Sequence, residues 1–369
     1  MMKIIFCTLR DNKGATGGPG GVLYLQKTVL GNNINNLSCE YWFNPLRLRL
    51  GIIKKVINKF LFLIKIGIQS PKTYFFTHDI ETASLLAKMG KKYSLVYHNQ
   101  GPVVEEGILS GKIYSVAELK RISKIERLAF INAQTLHFPS LGAADMYFKS
   151  QYACCEKNET NIYAPLYNII LPTRVKKTHS LNLEKDDRFI TLFSLGTLTS
   201  AKGQDQTIDF IRKYVTVSPK PLRYIIVGKG VLKMQLLSSL ELIKKEKPDF
   251  EYFYFDVLSH NEVMYIHQIT DIYIMLHRLS IFDFATLEAM SQKCAIILSK
   301  VGGNLDFQKE NNIIYAEDIE KNINLLREIN IDLLKDKNYN VFCRYFSETA
   351  FKNQYQLFFE KVVSNLSFD

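Results

Sequence analysis

Runs of β-branched and aromatic residues alternate along the chain with stretches whose apolar positions recur every three to four residues. Such alternation marks a parallel α/β architecture, in which each strand is followed by a helix that covers the sheet. In the first half the pattern predicts strands at 3–8, 38–43, 73–77, 93–97 and 134–138, and a short one at 161–164. Helical spacing lies between them, at 21–31, 52–66, 79–89, 116–132 and 141–150. From Pro172 to Asp187 the periodicity is lost and charged residues collect, as in a linker. A second alternation begins at Phe189, with strands expected at 189–195, 222–227, 252–257, 272–276 and 295–299. Its helices are expected near 205–214, 230–246, 259–268, 284–292 and 318–329, the third of them opened by a Ser259/Glu262 capping box. Apolar residues at helical spacing from Tyr345 to Leu366 predict a long last helix. The expected architecture is α/β, with two Rossmann-like lobes facing a central cleft. The first lobe spans 1–172, the linker 173–187 and the second lobe 188–344, while the last helix, 345–369, packs back on the first lobe.

Open α/β sheets bind ligands beyond the carboxyl ends of their strands, where helix N-termini offer unpaired N–H groups. The residues just after each strand are therefore the ones to read. After the first strand, Gly14, Gly17, Gly18, Gly20 and Gly21 fall within eight residues. Such a loop lets backbone approach a ligand, yet it is neither a dinucleotide fingerprint nor a P-loop, and a plain surface loop is the competing reading. In the second half, Gly196 to Gly203 follows a strand and sets Lys202 among small residues, where it can meet a phosphate or remain a solvated lysine. Gly228 stands at the next strand end. The stretch from Leu276 to Asn304 is the most unusual. It puts Glu288 one turn inside an apolar helix, where a carboxylate needs a partner such as the paired hydroxyls of a ribose, or backbone donors.

Charge narrows the partners. Of 369 residues, 47 are Lys or Arg and 36 are Asp or Glu, a net charge of +11 that leaves nucleic acid, an anionic membrane or a phosphorylated small molecule open. Residues 1–70 hold ten basic side chains against Asp11 and Glu40, so most of the excess is there. Within this region, 52–66 sets Ile52, Ile53, Val56, Ile57, Phe60, Leu61 and Ile64 along one face and Lys54, Lys55, Asn58, Lys59 and Lys65 on another, with Arg47 and Arg49 just before. This is the pattern of a helix lying on an anionic membrane surface, and equally of an ordinary helix covering a sheet with its lysines in water. No nucleic-acid-binding module is recognisable. The six cysteines lack CxxC spacing, nothing resembles a secretion signal and no apolar run could span a bilayer. The expected location is cytoplasmic, peripheral on the inner face of the membrane.

The segment from Ser280 through Glu288-Ala289-Met290 to Val301-Gly302-Gly303 resembles the signature of glycosyltransferase family 4, retaining enzymes of the GT-B fold that use nucleotide sugars. In that family two glutamates separated by seven residues precede Ala-Met, and Val-Gly-Gly follows the next strand. Glu288 matches the second glutamate. The early glycine loop, Thr77-His78-Asp79, His98, Ser140 and the Gly196–Gly203 segment match further features in order. Two positions depart: Ser280 stands where the first glutamate is expected, and Thr197 where the family has an arginine after the glycine.

The resemblance implies a UDP- or GDP-sugar bound mainly by the second lobe. Lys202 would hold the diphosphate and Glu288 the ribose. Phe284, Ala285, Gly302, Gly303 and Asn304 would meet phosphates and sugar, and His98 would face the sugar near the reaction centre. Gly20, Gly21, Thr197, Gly228 and Ser280 belong to the same expected donor site. Asp283 would take over a sugar hydroxyl and Arg278 the missing positive charge. No cofactor or bound metal is implied, and no compact ligand cluster stands in the sequence. The expected acceptor is a glycan, a lipid-linked sugar or a protein, with the membrane surface as a candidate partner. A catalytically weak or inert partner subunit of the same fold is the alternative that Ser280 and Thr197 keep open. An epimerase is disfavoured because the GxGxxG fingerprint is missing.

Overall fold

The computed structural model describes residues 3–11, 19–35, 37–43, 51–99, 101–171, 181–321 and 323–365. Gly14, Gly17, Gly18, Arg47, Arg49 and most of the expected linker lie outside these residues, as do the side chains of Lys54 and Lys55.

The chain divides into two compact units, one made of Met1–Ile108, Ile113–Leu171 and Ser347–Asp369 and the other of Leu109–Lys112 and Pro172–Phe346. Six strands build the sheet of the first unit: β1 (Lys3–Cys7), β2 (Asn33–Ile34), β3 (Leu37–Trp42), β4 (Thr73–Thr77), β5 (Tyr93–Val96) and β6 (Thr135–His137). Its helices are α1 (Pro19–Leu30), α2 (Gly51–Gly67), α3 (Ile80–Lys88), α4 (Val103–Leu109), α5 (Val116–Ile131) and α6 (Leu141–Lys149). The strand order is β2-β3-β1-β4-β5-β6, parallel except for β2, which pairs antiparallel with β3.

In the second unit the strands are β7 (Ile190–Leu195), β8 (Leu222–Val227), β9 (Glu251–Phe255), β10 (Ile272–Met275), β11 (Ala295–Leu298) and β12 (Ile313–Tyr315). The helices are α7 (Gln204–Tyr214), α8 (Lys233–Glu246), α9 (His260–Ile269), α10 (Phe284–Ser291), α11 (Ala316–Glu320), α12 (Leu325–Glu328) and α13 (Ile331–Val341). The sheet is parallel throughout, in the order β12-β11-β10-β7-β8-β9. That is the doubly wound order, which reverses direction between β7 and β10. In the first unit the reversal falls between β1 and β4.

Helices cover both faces of these sheets, so the central strands are apolar at consecutive positions instead of alternating. Every residue of β8 is buried, and Leu192, Tyr224, Ile226, Ile274 and Ile297 join Ile208, Ile211, Leu240 and Ile243 of the flanking helices in one core. Aromatic rings pack the core of the first unit. Phe6 stands opposite Tyr41 and Phe76 in the ladder, and the last helix, α14 (Glu348–Asn365), lays Phe358 and Phe359 against Phe76 at 5.8 and 5.9 Å between ring centroids.

The capping box expected at Ser259/Glu262 is present, and a second one, Ser115/Glu118, starts α5. The segment expected as one helix over 318–329 is instead two short helices, α11 and α12, and the strand expected at 161–164 is reduced to a single bridge between Leu136 and Ile162. Four elements were not expected. β2, α4 and β12 span two, seven and three residues, too few to show a period, while α13 carries Lys, Asp and Asn through its middle. Among the described residues no helix is long and apolar enough to cross a membrane.

Candidate functional site

Lys202 stands at the switch point of the second sheet. After β7 the chain runs through Gly196 to a single 3-10 turn, Ser200–Lys202, and enters α7 through Gly203. Gly203 adopts φ +67°, and a Cβ there would lie 1.7 Å from the Leu276 carbonyl oxygen, so only glycine fits. This contact presses the loop after β7 onto the end of β10. The N–H groups of Arg278 and Leu279 then donate to the Ala201 carbonyl at 3.0 and 3.3 Å.

The two strand ends together place three chemically active side chains. Lys202 Nζ lies 3.3 Å from Asp283 Oδ1 and 3.5 Å from His277 Nε2, with the lysine side chain only 15% exposed. Burial is the largest single influence on the Asp283 carboxyl and raises it, but the Lys202 charge and hydrogen bond, His277 and the Thr286 N–H together outweigh burial and hold it below the ordinary carboxylate value. Burial, reinforced by Lys202, pushes His277 down to about 3, so this imidazole is neutral. Its Nδ1 has no hydrogen-bond partner. The Tyr273 hydroxyl of β10 completes the cluster, 3.5 Å from Asp283 Oδ2.

The remaining expected residues surround this cluster in separate contacts. Arg278, expected to supply a positive charge, grips Asp205 through two bonds of 2.8 and 2.7 Å and the Ser200 carbonyl through a third of 2.7 Å. Its guanidinium thus ties the β10 loop to the start of α7. Ser280 is buried with an unpartnered hydroxyl, and its carbonyl accepts from Gly303 N at 2.8 Å. A Cβ on Gly303 would lie 2.2 Å from Ile281 C, which makes glycine necessary for this approach. Asn304 is fully buried and donates to the Ser299 carbonyl at 3.0 Å, leaving its own Oδ1 without a partner.

Asp283 occupies the N-cap position of α10, so Phe284 and Ala285 form its first turn, and Gly302 opens the 3-10 turn that holds Gly303 and Asn304. Glu288, one turn into α10, has found a side-chain partner: its Oε1 lies 2.9 Å from His260 Nε2. This bond raises the His260 pKa against a smaller effect of burial. Thr197 is exposed and Gly228 buried at the end of β8.

In the first unit the described residues just beyond β1 and β4 are tied to one another. Asp79, the N-cap of α3, accepts from Thr8 Oγ1 at 2.6 Å, Thr82 N at 2.7 Å and Thr82 Oγ1 at 2.8 Å, the capping role its position suggests. His78 contacts Gln26 Oε1 through Nε2 at 2.7 Å, and its ring meets that of His98 at 4.8 Å between centroids. His98 is half-buried and its Nε2 is covered and unpartnered, a burial that pushes its pKa down to about 3. Gly20 and Gly21 are buried in the first turn of α1. Lys59 is exposed on α2.

Among the described residues no group of three or more His, Cys, Asp or Glu side chains is placed to hold a metal ion. Sequence reading passed over His277, Asp205, His260 and Tyr273. His277 was within reach of the strand-end rule, because it lies two residues beyond β10; the other three acquire meaning only through their partners.

Residues 175–352 match the family described as glycosyl transferases group 1. No curated protein matches the chain. Among solved structures, the chain resembles sucrose-phosphate synthase from Thermosynechococcus elongatus with a TM-score of 0.68 at 13% identity, covering 99% of this chain and 100% of that one. Anabaena HepE in complex with UDP and glucose gives 0.62 at 15% identity, covering 99% and 100%. The α,α-trehalose 6-phosphate synthase of Burkholderia multivorans gives 0.63 at 11% identity, with both chains fully covered. At these identities the likeness is one of fold: the chain has the GT-B fold of two Rossmann-like α/β units.

Proposed function

We propose that the protein transfers a sugar from a UDP- or GDP-sugar, with retention of configuration and without a bound metal, to a glycan, lipid-linked or protein acceptor in bacterial surface glycoconjugate synthesis. The observation that supports this most is Lys202, a largely buried cation at the switch point of the unit whose sequence matches group 1 glycosyl transferases. Departure of a nucleoside diphosphate develops negative charge on the leaving oxygen, and a fixed cation there favours the transition state over the ground state. In this reading Lys202 meets the diphosphate and Glu288 the ribose. The backbone at Phe284, Ala285, Gly302 and Gly303, with Asn304, receives phosphates and sugar. Gly228, Thr197, Ser280 and Asp283 border the donor. Gly20 and Gly21 border it as well, and His98 faces the sugar near the reaction centre. Retention follows from attack on the face the diphosphate leaves, with the departing phosphate taking the acceptor's proton.

A catalytically weak or inert partner subunit is the second reading. It is favoured by Ser280 and Thr197 at the two departing positions, and by the Asp205 carboxylate that already matches the charge of Arg278. A panel of UDP- and GDP-sugars screened for a rise in melting temperature, followed by measurement of nucleoside-diphosphate release, decides between the two. Binding with release supports the enzyme, binding without release the partner subunit, and no binding of any donor refutes the enzyme.

A further inference from the structure

The outward face of α2 is apolar. Helix α2 docks onto the first unit through Asn58, Phe62 and Ile66, spaced four apart and at most 4% exposed. Lys65 Nζ adds a cation–π contact over the Trp42 ring at 3.9 Å from its centroid. The consequence is that Val56, Phe60, Ile64 and Ile68, the next row at the same spacing, stand 63%, 62%, 48% and 76% exposed, with Ile57 and Leu61 beside them at 37% and 40%. A helix that merely covers a sheet would turn this row inward and put Asn58 in water. Contiguous apolar side chains held in solvent mark an interaction surface.

Charge identifies the occupant. Helix α2 contains no acidic residue, and from Tyr41 to His78 the chain has no Asp or Glu and seven Lys or Arg. Lys59 is exposed on the flank of the row, where a long stem lets its ammonium reach lipid phosphates while the apolar row enters the acyl boundary. Two copies meeting through this face would bring basic flanks together without an acid on either helix to pair with them. We therefore propose that the face of α2 formed by Val56, Ile57, Phe60, Leu61 and Ile64, continued by Ile68 just past the helix end, inserts into the interface of an anionic phospholipid bilayer, with the apolar row as anchor and the lysines setting the preference for negative headgroups.

Co-sedimentation with vesicles of phosphatidylcholine, alone and mixed with phosphatidylglycerol, tests this. The whole protein should bind the anionic vesicles, and high salt should weaken binding without abolishing it. The variant Val56→Ser/Phe60→Ser/Ile64→Ser changes only exposed side chains and should keep its melting temperature while losing vesicle partitioning on the order of a hundredfold. Lys59→Glu should lose only a few-fold, and only on anionic vesicles. In Phe60→Trp the new indole should shift its emission to the blue on vesicle addition, against a buried Trp42.

A wild type that stays in the supernatant, a serine variant that binds as well as wild type, or an unshifted indole overturns the proposal. So does a lipid-free dimer that the serine variant abolishes, since the face would then be a contact between copies. The inference stands on α2 alone: vesicle binding by a protein that ignores nucleotide sugars upholds it while sinking the transfer reading.

Discussion

Where β1 and β4 part in the first sheet, Asp79 accepts three hydrogen bonds from Thr8 and Thr82, and Leu9 N donates to the Thr82 hydroxyl at 3.0 Å. Where β7 and β10 part in the second, Asp283 meets an ammonium, a neutral imidazole and a phenol, and the imidazole Nδ1 is left unpartnered. Both sheets open a crevice by the same topological rule. In the first unit neutral hydroxyls satisfy the carboxylate and lock two loops together. In the second the carboxylate is satisfied by a cation that a stronger anion can claim. Topology decides where a ligand can sit, and the residues at the strand ends decide whether the place is structural or chemical.

Removing the cation should separate the two units most sharply. Lys202→Ala is expected to lower turnover by roughly 10²–10³-fold, the scale for a lost donor at a developing oxyanion, with a smaller loss in nucleotide affinity. Normal turnover in a folded Lys202→Ala protein would remove the second switch point from the chemistry.

His98→Ala should reduce sugar transfer by about tenfold or more while leaving UDP or GDP affinity nearly unchanged, because the histidine lies in the first unit and the diphosphate is assigned to the second. Calorimetry of UDP and GDP beside a transfer assay checks this; equal losses in both would make His98 a structural residue.

Asp79→Ala carries the opposite expectation. It should cost about 1–2 kcal/mol in denaturant unfolding through the lost cap, and leave turnover per folded molecule unchanged. A large catalytic loss at wild-type stability would show that the first switch point also takes part in the chemistry.

Asp283→Asn frees Lys202 from its internal partner. Nucleoside diphosphate should bind several-fold more tightly, on the order of threefold to tenfold, while transfer slows if Asp283 also holds a sugar hydroxyl. Unchanged affinity for UDP and GDP would mean that Lys202 does not meet the diphosphate.

One effect is common to both units. Burial lowers His98, His267 and His277 to about 3 and His137 to about 4, from an ordinary 6.5. These rings are neutral in the folded protein and take up protons on unfolding. Their contribution is therefore complete above about pH 6.5 and is lost as pH falls toward the folded values. His260 runs the other way: Glu288 raises its pKa, so its contribution is present below 6.5 and fades as pH rises through the raised value. Exposure of the His260 side chain, 57%, keeps that opposing effect small. Urea unfolding from neutral to mildly acidic pH should show falling stability, less steeply in His267→Gln. A flat profile would show that the buried rings are hydrated.

Much of the fold was legible in the chain because its strands are runs of β-branched and aromatic residues and its helices are long enough to show a period. The strands at 73–77 and 222–227 coincide with β4 and β8, whereas α4, β12 and the split at 318–329 are too short for periodicity to resolve. Lys202, Asp283 and Glu288 could be singled out by their places after strands or inside an apolar helix. The partners of those residues could not be. His277, Asp205 and His260 lie 75, 73 and 28 residues from the groups they meet, and only the pairing of β7 with β10 and the packing of α9 against α10 bring them together. The same limit applies to α2. Sequence determined that an apolar row and a basic row share one helix. That both of these rows face water while a third, Asn58, Phe62 and Ile66, is buried was decided by tertiary packing, because helical spacing defines faces and only a neighbouring surface chooses among them.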